Sequence, residues 1–213
     1  LWVTVYKDDD EAFNFWKNCT DIDEKRIVRC GAKDNFWEMA ETGPCGPCSE
    51  IHYYVGDDID NQKSELVNNS DQYWELWNLV FIQFNRKSDG STVDLPKKHV
   101  DTGAGLERIC SVLQGKDSNY KTDLFEKTIS EIESISGAKY NKNEITFNVI
   151  CDHIRMLSFA IADGVLPSND GRGYVIRRVL RRALKFGLNL KIEKPFLHRL
   201  VGSVVLTMSN HYP

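Results

Sequence analysis

The sequence predicts an α+β fold in which a strand-rich first part is followed by an all-helical second part. Apolar, aromatic and β-branched residues alternate or cluster over 1–6, 51–55, 73–85 and 93–100, which is the pattern of strands. Beyond residue 138 such segments stop, and apolar residues recur at helical spacing. Strands followed by a run of helices indicate two successive regions, so the sequence predicts domains over 1–138 and 139–213.

The helices are predicted from the same periodicity and from their end signals. Gly137 marks one end, because glycine readily adopts the left-handed conformation just after a helix. The polar segment 61–71 is predicted to be a loop. The predicted helices are 8–18, 106–114, 123–136, 145–163, 173–186 and 195–209.

Composition restricts the class of protein. The chain has 213 residues, of which 41% are hydrophobic and 27% charged, as in an ordinary globular protein. We see no apolar run of the roughly 18–20 residues that span a bilayer, so no membrane partner is expected. The six cysteines are scattered apart from one close pair, which favours reduced thiols and a cytoplasmic or mitochondrial location. The start, LWVTVYKDDDEAF, has neither an initiator Met nor a signal-peptide pattern, and we expect a piece of a longer chain.

The net charge of −4 is unevenly distributed. Residues 139–213 hold 12 Lys+Arg against 5 Asp+Glu, a net charge of +7, which leaves −11 for residues 1–138. This asymmetry predicts that only the second part faces a polyanion.

A basic helix follows the polar turn DGVLPSNDGRG at 163–173. At about 100° per residue, its cations fall on one arc and its apolar residues on the other. The cations are Arg177, Arg178, Arg181, Arg182 and Lys185, and the apolar residues are Val175, Ile176, Val179, Leu180, Ala183 and Phe186. Such a stripe suits a phosphate backbone, and we favour nucleic acid over a solvated face or pairing with the acidic first part.

The segment 100–108, VDTGAGLER, combines a strand end, two glycines and a helix start. Gly103 and Gly105 permit close approach of a ligand to the backbone. The helix N-terminus favours anions, and Arg108 adds a flat cation that stacks on a base or pairs with phosphate. An ordinary strand–helix turn is the competing interpretation.

In the segment 42–53, TGPCGPCSEIHY, the two Gly-Pro dipeptides predict a rigid, irregular loop around the cysteines, before the strand predicted over 51–55. Its Cys45 and Cys48 resemble a redox C-x-x-C pair, but such pairs open a helix after a strand. Zinc would need further ligands, with His52 and His99 as candidates. We therefore favour a structural role.

In the apolar segment 75–86 the amides of Asn78, Gln83 and Asn85 need partners, and at least one is expected to face a small polar ligand.

Five ordered stretches together resemble alanyl-tRNA synthetase, a class II aminoacyl-tRNA synthetase. They are DNFWEM, TGPCGPCSEIHY, ELWNLVFIQFNR, VDTGAGLERI and DGVLPSNDGRGYVIRRVLRRA, and they cover nearly the whole chain. The fourth is similar to motif 3 of class II enzymes. The resemblance implies an antiparallel catalytic sheet over 1–138 and a truncated acceptor-stem recognition region over 139–213. It also implies activation of alanine with ATP and Mg²⁺, followed by transfer to tRNA.

The resemblance also implies roles for individual residues. Arg108 and Asp101 would be catalytic; Arg108, Gly103 and Gly105 would bind ATP; Trp37, Asn78, Asp101 and Gly103 would bind alanine. Asn169 would read the acceptor stem, where the family recognises a G·U pair, and Arg172, Arg177, Arg178, Arg181 and Arg182 would bind tRNA phosphates. No metal ligand is expected here, because zinc belongs to an editing region that this chain lacks.

Some family features differ or are missing. Ala40 and Glu41 stand where the family usually has Gly-Asp, and Ala104 stands where it usually has Met. Motif 1 and motif 2, whose Arg clasps the α-phosphate, have no counterpart, so the chain alone is expected to activate alanine poorly or not at all. The alternatives are a non-catalytic tRNA-binding module and a thiol–disulfide oxidoreductase built on Cys45 and Cys48.

Overall fold

The computed structural model describes residues 1–212 and confirms the α+β class. Its contacts divide the chain into two compact units, Leu1–Asp117 and a second that begins at Ser118. The first, which we call the sheet unit, contains every strand of the described residues, and the second, the helical unit, is built from helices.

The sheet unit is organised around a six-stranded sheet in the order β2-β1-β4-β5-β6, with β3 paired to β4. Apart from the parallel β1–β2 pair, neighbouring strands are antiparallel. The strands are β1 Trp2–Tyr6, β2 Ile27–Cys30, β3 Phe36–Glu38, β4 Gly43–Tyr54, β5 Tyr73–Arg86 and β6 Thr92–Ala104.

Three helices accompany this sheet. They are α1 Asp10–Cys19, α2 Ala32–Asn35 and α3 Leu106–Leu113. Asp9 caps α1 by accepting a hydrogen bond from the Ala12 amide at 2.9 Å, which satisfies one free donor of the first turn. Ala12 then packs with Val3, Val5 and Ile27, so α1 covers one face of the sheet.

The segment 43–48 is part of β4, and the prediction of an irregular loop there was wrong. Gly46 makes the strand possible, because an added Cβ would overlap the carbonyl oxygen of Phe81 on β5. The register shifts between Cys45 and Cys48, which places the intervening proline, Pro47, in an irregularity of the ladder.

The helical unit contains α4 Asp123–Ser136, α5 Glu144–Ala162, α6 Gly171–Asn189 and α7 Leu197–Met208. Gly137 ends α4 with φ 70°, as its position in the sequence predicted. Phe125 and Ile132 of α4 lie in one core with Ile150 of α5 and Leu200 of α7. The compact units therefore divide before α4, whereas the predicted boundary near 138 grouped this helix with the strands.

By length and composition alone, α5 is apolar enough to cross a membrane, because an 18-residue window of this 19-residue helix has a mean hydropathy of 1.3. Its apolar side chains have another explanation. Phe147, Ile150, Ile154 and Leu157 are buried, and three of them belong to the core of the helical unit. The same helix carries Asp152 on its partly exposed surface. Packing within the unit therefore accounts for the apolar face of α5.

Candidate functional sites

One face of the sheet brings together three of the residues that were predicted to bind substrate. Asn78 of β5 pairs with Gly103 of β6, and Val80 pairs with Asp101. Directly paired residues share a face and side chains alternate along a strand, so Asn78, Gly103 and Asp101 lie on the same face. Asp101 and Gly103 are exposed, and a Cβ built on Gly103 would meet no atom within 4 Å. We call this surface the sheet site.

The side-chain amide of Asn78 is the polar centre of the sheet site. Its Oδ1 is buried and has no hydrogen-bond partner within residues 1–212. Cys48 lies beside the same side chain. Burial, together with the nearby Glu50 carboxylate, raises the pKa of the Cys48 thiol to about 12, and a hydrogen bond with Asn78 opposes this rise. A buried amide oxygen without a partner is costly, and a ligand donor would satisfy it.

A network of buried polar side chains lies next to the sheet site. Glu50 pairs with Asn78 across β4 and β5, and only 7% of Glu50 is exposed. Its Oε2 accepts a hydrogen bond from Thr4 Oγ1 at 2.9 Å and lies 3.1 Å from His52 Nε2. Asn35 Nδ2 donates to Thr4 Oγ1 at 2.8 Å. This arrangement fixes a carboxylate within the sheet, beside the residue predicted to contact alanine.

The sequence interpretation missed this network. The only local signal was a carboxylate and an imidazole, Glu50 and His52, at alternate positions of an otherwise apolar strand. Their partners Thr4 and Asn35 come from two other segments, so the network exists only after the sheet has formed.

Arg108 and Gly105 lie just beyond the end of β6, where α3 begins. Arg108 Nη1 donates to the Glu75 carbonyl at 2.6 Å, and its charge lies 3.7 Å from Glu75 Oε2. The guanidinium is exposed and lies against Glu75 of β5, the strand that also carries Asn78. Trp37 lies on β3 opposite Gly46, so β4 separates it from β5. The predicted roles of these residues remain predictions.

The pair Cys45 and Cys48 is buried inside β4 and does not begin a helix. Reactive cysteines have a lowered pKa and an accessible sulfur, whereas burial raises the pKa of Cys48 to about 12. Within residues 1–212, no group of three or more His, Cys, Asp and Glu side chains is placed to hold a metal ion. The geometry therefore favours a structural role for the two thiols.

The helical unit presents a cationic surface along α6. This helix carries no acidic residue, and none of its basic side chains forms an ion pair with any of the described residues 1–212. Two guanidinium groups lie over aromatic rings of the same helix: Arg178 over Tyr174 and Arg182 over Phe186, each 5.9 Å from the ring centroid. The basic residues are Arg172, Arg177, Arg178, Arg181, Arg182 and Lys185.

Two open cavities lie along this surface. The first, of about 930 Å³, is lined by the turn 167–170 together with Arg177, Leu180 and Arg181. The second, of about 650 Å³, is lined by residues of α5 and α6, namely His153, Val175, Arg178, Val179, Arg181, Arg182 and Lys185. Arg181 borders both cavities, so they form one continuous basic surface, which we call the α6 surface. Sequence reasoning missed His153, whose Nδ1 lies 3.1 Å from Asp152 Oδ2.

Asn169 belongs to the turn that leads into α6. Ser168 Oγ donates to the Asp170 carbonyl at 2.7 Å, and the Ser168 amide donates to the Gly173 carbonyl at 3.0 Å. Gly173 is buried, and an added Cβ would overlap Ser168 Oγ and the Leu166 carbonyl oxygen. Arg177 Nη1 donates to Asn169 Oδ1. The structure therefore brings Asn169 and Arg177 together, and it leaves Arg172 exposed in the first turn.

The predicted apolar arc of α6 is partly wrong. Gly173, Ile176, Ala183 and Gly187 form the buried face, whereas Val175 is 52% exposed. The prediction counted Val175 in the packed arc and left out the glycines. At one of these, Gly187, the Phe196 ring packs so closely that an added Cβ would overlap the ring.

Comparison with known proteins identifies the family of this chain. A family model described as tRNA synthetases class II (A) matches residues 1–213. An alanine–tRNA ligase of Chlorobium chlorochromatii is 55% identical over 100% of this chain and 24% of its own length. Those of Chlorobium phaeovibrioides and Acidithiobacillus ferridurans are 52% and 50% identical, with 24% and 25% of their lengths covered. The chain spans about a quarter of the curated relatives it matches, and it belongs to the class II tRNA synthetase family.

Proposed function

We propose that this chain is the part of an alanine–tRNA ligase that binds alanine and ATP through the sheet site and the tRNA acceptor stem through the α6 surface. The main observation behind this proposal is the register of β5 and β6, which puts Asn78, Gly103 and Asp101 on one face, next to a buried carboxylate network. The similarity to alanine–tRNA ligases over the whole chain supports this proposal.

In the sheet site, Asp101 supplies an anion for the α-ammonium group of the amino acid. Asn78 Oδ1 is a buried acceptor without a partner among residues 1–212, and it suits a second donor of the same ligand. Gly103 leaves open space between them, since nothing lies where its Cβ would be. An anion, an amide and a glycine suit a small amino acid such as alanine.

ATP would lie toward the start of α3. Arg108 is exposed there, and its guanidinium suits either a phosphate or the face of a base. Gly105 allows the backbone to approach the nucleotide. Mg²⁺ would enter with ATP and keep phosphate and water ligands, since it seldom relies on protein side chains alone.

The catalytic part of the proposal is tested in the whole ligase by ATP–pyrophosphate exchange. Asp101→Asn should raise the KM for alanine about tenfold to a hundredfold, because it removes a charge-assisted hydrogen bond. Asp94→Asn changes an exposed carboxylate on the same strand and should leave the KM unchanged. Equal effects of the two substitutions would refute the role of Asp101.

The RNA part is tested with this chain and a hairpin that copies an alanine acceptor stem, with its G·U pair intact or replaced by G·C. A preference for the G·U hairpin that persists at higher salt supports specific reading by the turn around Asn169. Equal binding that weakens steeply with salt would leave a basic surface without specificity.

A non-catalytic RNA-binding module is the second candidate. It is favoured by the α6 surface, whose elements all come from one unit that has its own core. It predicts hairpin binding by the chain without any protection of the sheet site by alanine and ATP. Hydrogen exchange of β5 and β6 in the presence of both ligands separates the two functions.

A further inference from the structure

Within the cavity at the start of α6, one arginine differs from the others in what it contacts. Arg177 donates a hydrogen bond to Oδ1 of Asn169, which lies eight residues earlier, in the turn before α6. No hydrogen bond to another side chain is found, within residues 1–212, for Arg178, Arg181 or Arg182. Among the described residues 1–212, Arg177 is therefore the arginine of this row with a hydrogen-bonded side-chain partner, although the sequence analysis treated the cations as equivalent.

The backbone that carries Asn169 is fixed independently of Arg177. Ser168 closes the turn through its hydroxyl and its amide, and Gly173 packs against Ser168 so closely that no Cβ fits. Gly171 has φ +53°, which favours glycine at the first position of α6. The exposed Asn169 side chain is the part of this turn whose orientation the backbone leaves open.

The contact with Arg177 sets that orientation. A guanidinium group has only donors, so it engages the amide oxygen and turns the Asn169 Nδ2 group away. Nδ2 carries two N–H donors, and it then faces outward. Outward donors suit the acceptor atoms of base edges and ribose in the shallow minor groove of an RNA duplex.

We propose that Arg177 is a positioning residue that fixes the Asn169 amide for reading a base pair, while Arg178, Arg181, Arg182 and Lys185 supply attraction to phosphates. This inference rests on the proposed acceptor-stem function and deepens it. It separates two roles on one helix. Positioning affects discrimination between sequences, whereas a phosphate contact affects affinity for every sequence and the dependence on salt.

The test compares Arg177→Ala with Arg182→Ala, which removes the same side chain one turn and a residue further along α6. Dissociation constants are measured for the G·U and G·C hairpins over a series of salt concentrations. Arg182→Ala should weaken binding of both hairpins alike. It should also lower by about 1 the salt slope, which is the steepness with which the logarithm of the binding constant falls against the logarithm of the salt concentration. Arg177→Ala should reduce the preference for the G·U hairpin about fivefold, with a smaller change in slope, since a hydrogen-bonded orientation is lost.

A double variant tests whether Arg177 acts through Asn169. If it does, Asn169→Ala combined with Arg177→Ala should discriminate no worse than Asn169→Ala alone, because both changes remove one interaction. Additive losses of discrimination would overturn the inference. Circular dichroism of each variant serves as the folding control, since both side chains are exposed.

The outcomes separate this inference from the proposed function. A wild-type chain without preference for either hairpin overturns the specific acceptor-stem function, and the role of Arg177 with it. A wild-type preference that survives in Arg177→Ala, accompanied by a lower salt slope, overturns the inference alone and makes Arg177 another phosphate contact.

Discussion

The sheet unit and the helical unit build their surfaces in different ways. The α6 surface comes almost entirely from the turn 167–170 and the helix that follows it, so neighbours in sequence are neighbours in space. The sheet site is assembled from β5 and β6, with the Glu50 network of β4 and the start of α3 beside it. A local surface depends on one well-packed helix, whereas an assembled one depends on register between distant strands.

The largest expected effect tests whether the helical unit has a core of its own. Phe147→Ala should lower the free energy of unfolding by about 3–5 kcal/mol, because it empties a fully buried site packed against Tyr140. All five tryptophans lie in residues 1–117, so tryptophan fluorescence reports the sheet unit. Urea unfolding should therefore shift when followed by helical circular dichroism and stay in place when followed by fluorescence.

The matched control is Ile145→Ala on the same helix, whose side chain is 76% exposed. It should leave both transitions nearly unchanged. Equal shifts of both signals in Phe147→Ala would show that the two units unfold as one.

The second effect concerns the buried network of the sheet unit. Glu50→Ala removes the acceptor of Thr4 Oγ1 and the partner of His52, and it should cost about 1.5–3 kcal/mol. This shift should be seen in the fluorescence-detected transition. Glu41→Ala, at an exposed position just before β4, is the control and should have no measurable effect. A similar loss in both variants would mean that charge, and not the network, stabilises this region.

These cases show why one surface was predicted better than the other. The α6 cations and the end of α4 at Gly137 follow from periodicity and from one residue's conformational freedom, both of which are local. The network around Glu50 joins residues 31 and 46 positions apart, and no local pattern encodes such contacts. The strand at 43–48 was missed because Gly-Pro dipeptides usually mark loops, whereas here Gly46 serves close packing on Phe81.

A third effect, at alkaline pH, should be felt by both units. Burial raises the pKa of Cys151 to about 12 and that of Cys48 to about 12, from an ordinary value of 9.0. The folded state then holds these protons more tightly than the unfolded state, so stability is full below pH 9 and falls as the pH rises toward 12. The loss for the deeply buried Cys151 should be about 1 kcal/mol by pH 10, and that for Cys48 smaller.

The measurement is urea unfolding at pH 8 and pH 10 for the wild type, Cys151→Ala and Cys48→Ala. Cys151→Ala should flatten the pH dependence of the dichroism-detected transition, and Cys48→Ala that of the fluorescence-detected one. The exposed Cys19 provides the control, because Cys19→Ala should leave both pH dependences as in the wild type. Unchanged slopes in all three variants would assign the alkaline loss to other groups.

The smallest effect distinguishes the two units by their charge. Lys185 lines the second cavity of the α6 surface, together with Arg178, Arg181 and Arg182. Lys185→Gln should therefore weaken binding of either hairpin severalfold and lower the salt slope by about 1. Lys33→Gln removes the same charge from an exposed position in the sheet unit and should change neither quantity. If both substitutions lowered the slope equally, attraction to RNA would come from net charge alone. A change confined to Lys185 would instead locate the phosphate path on α6, beside the turn that carries Asn169.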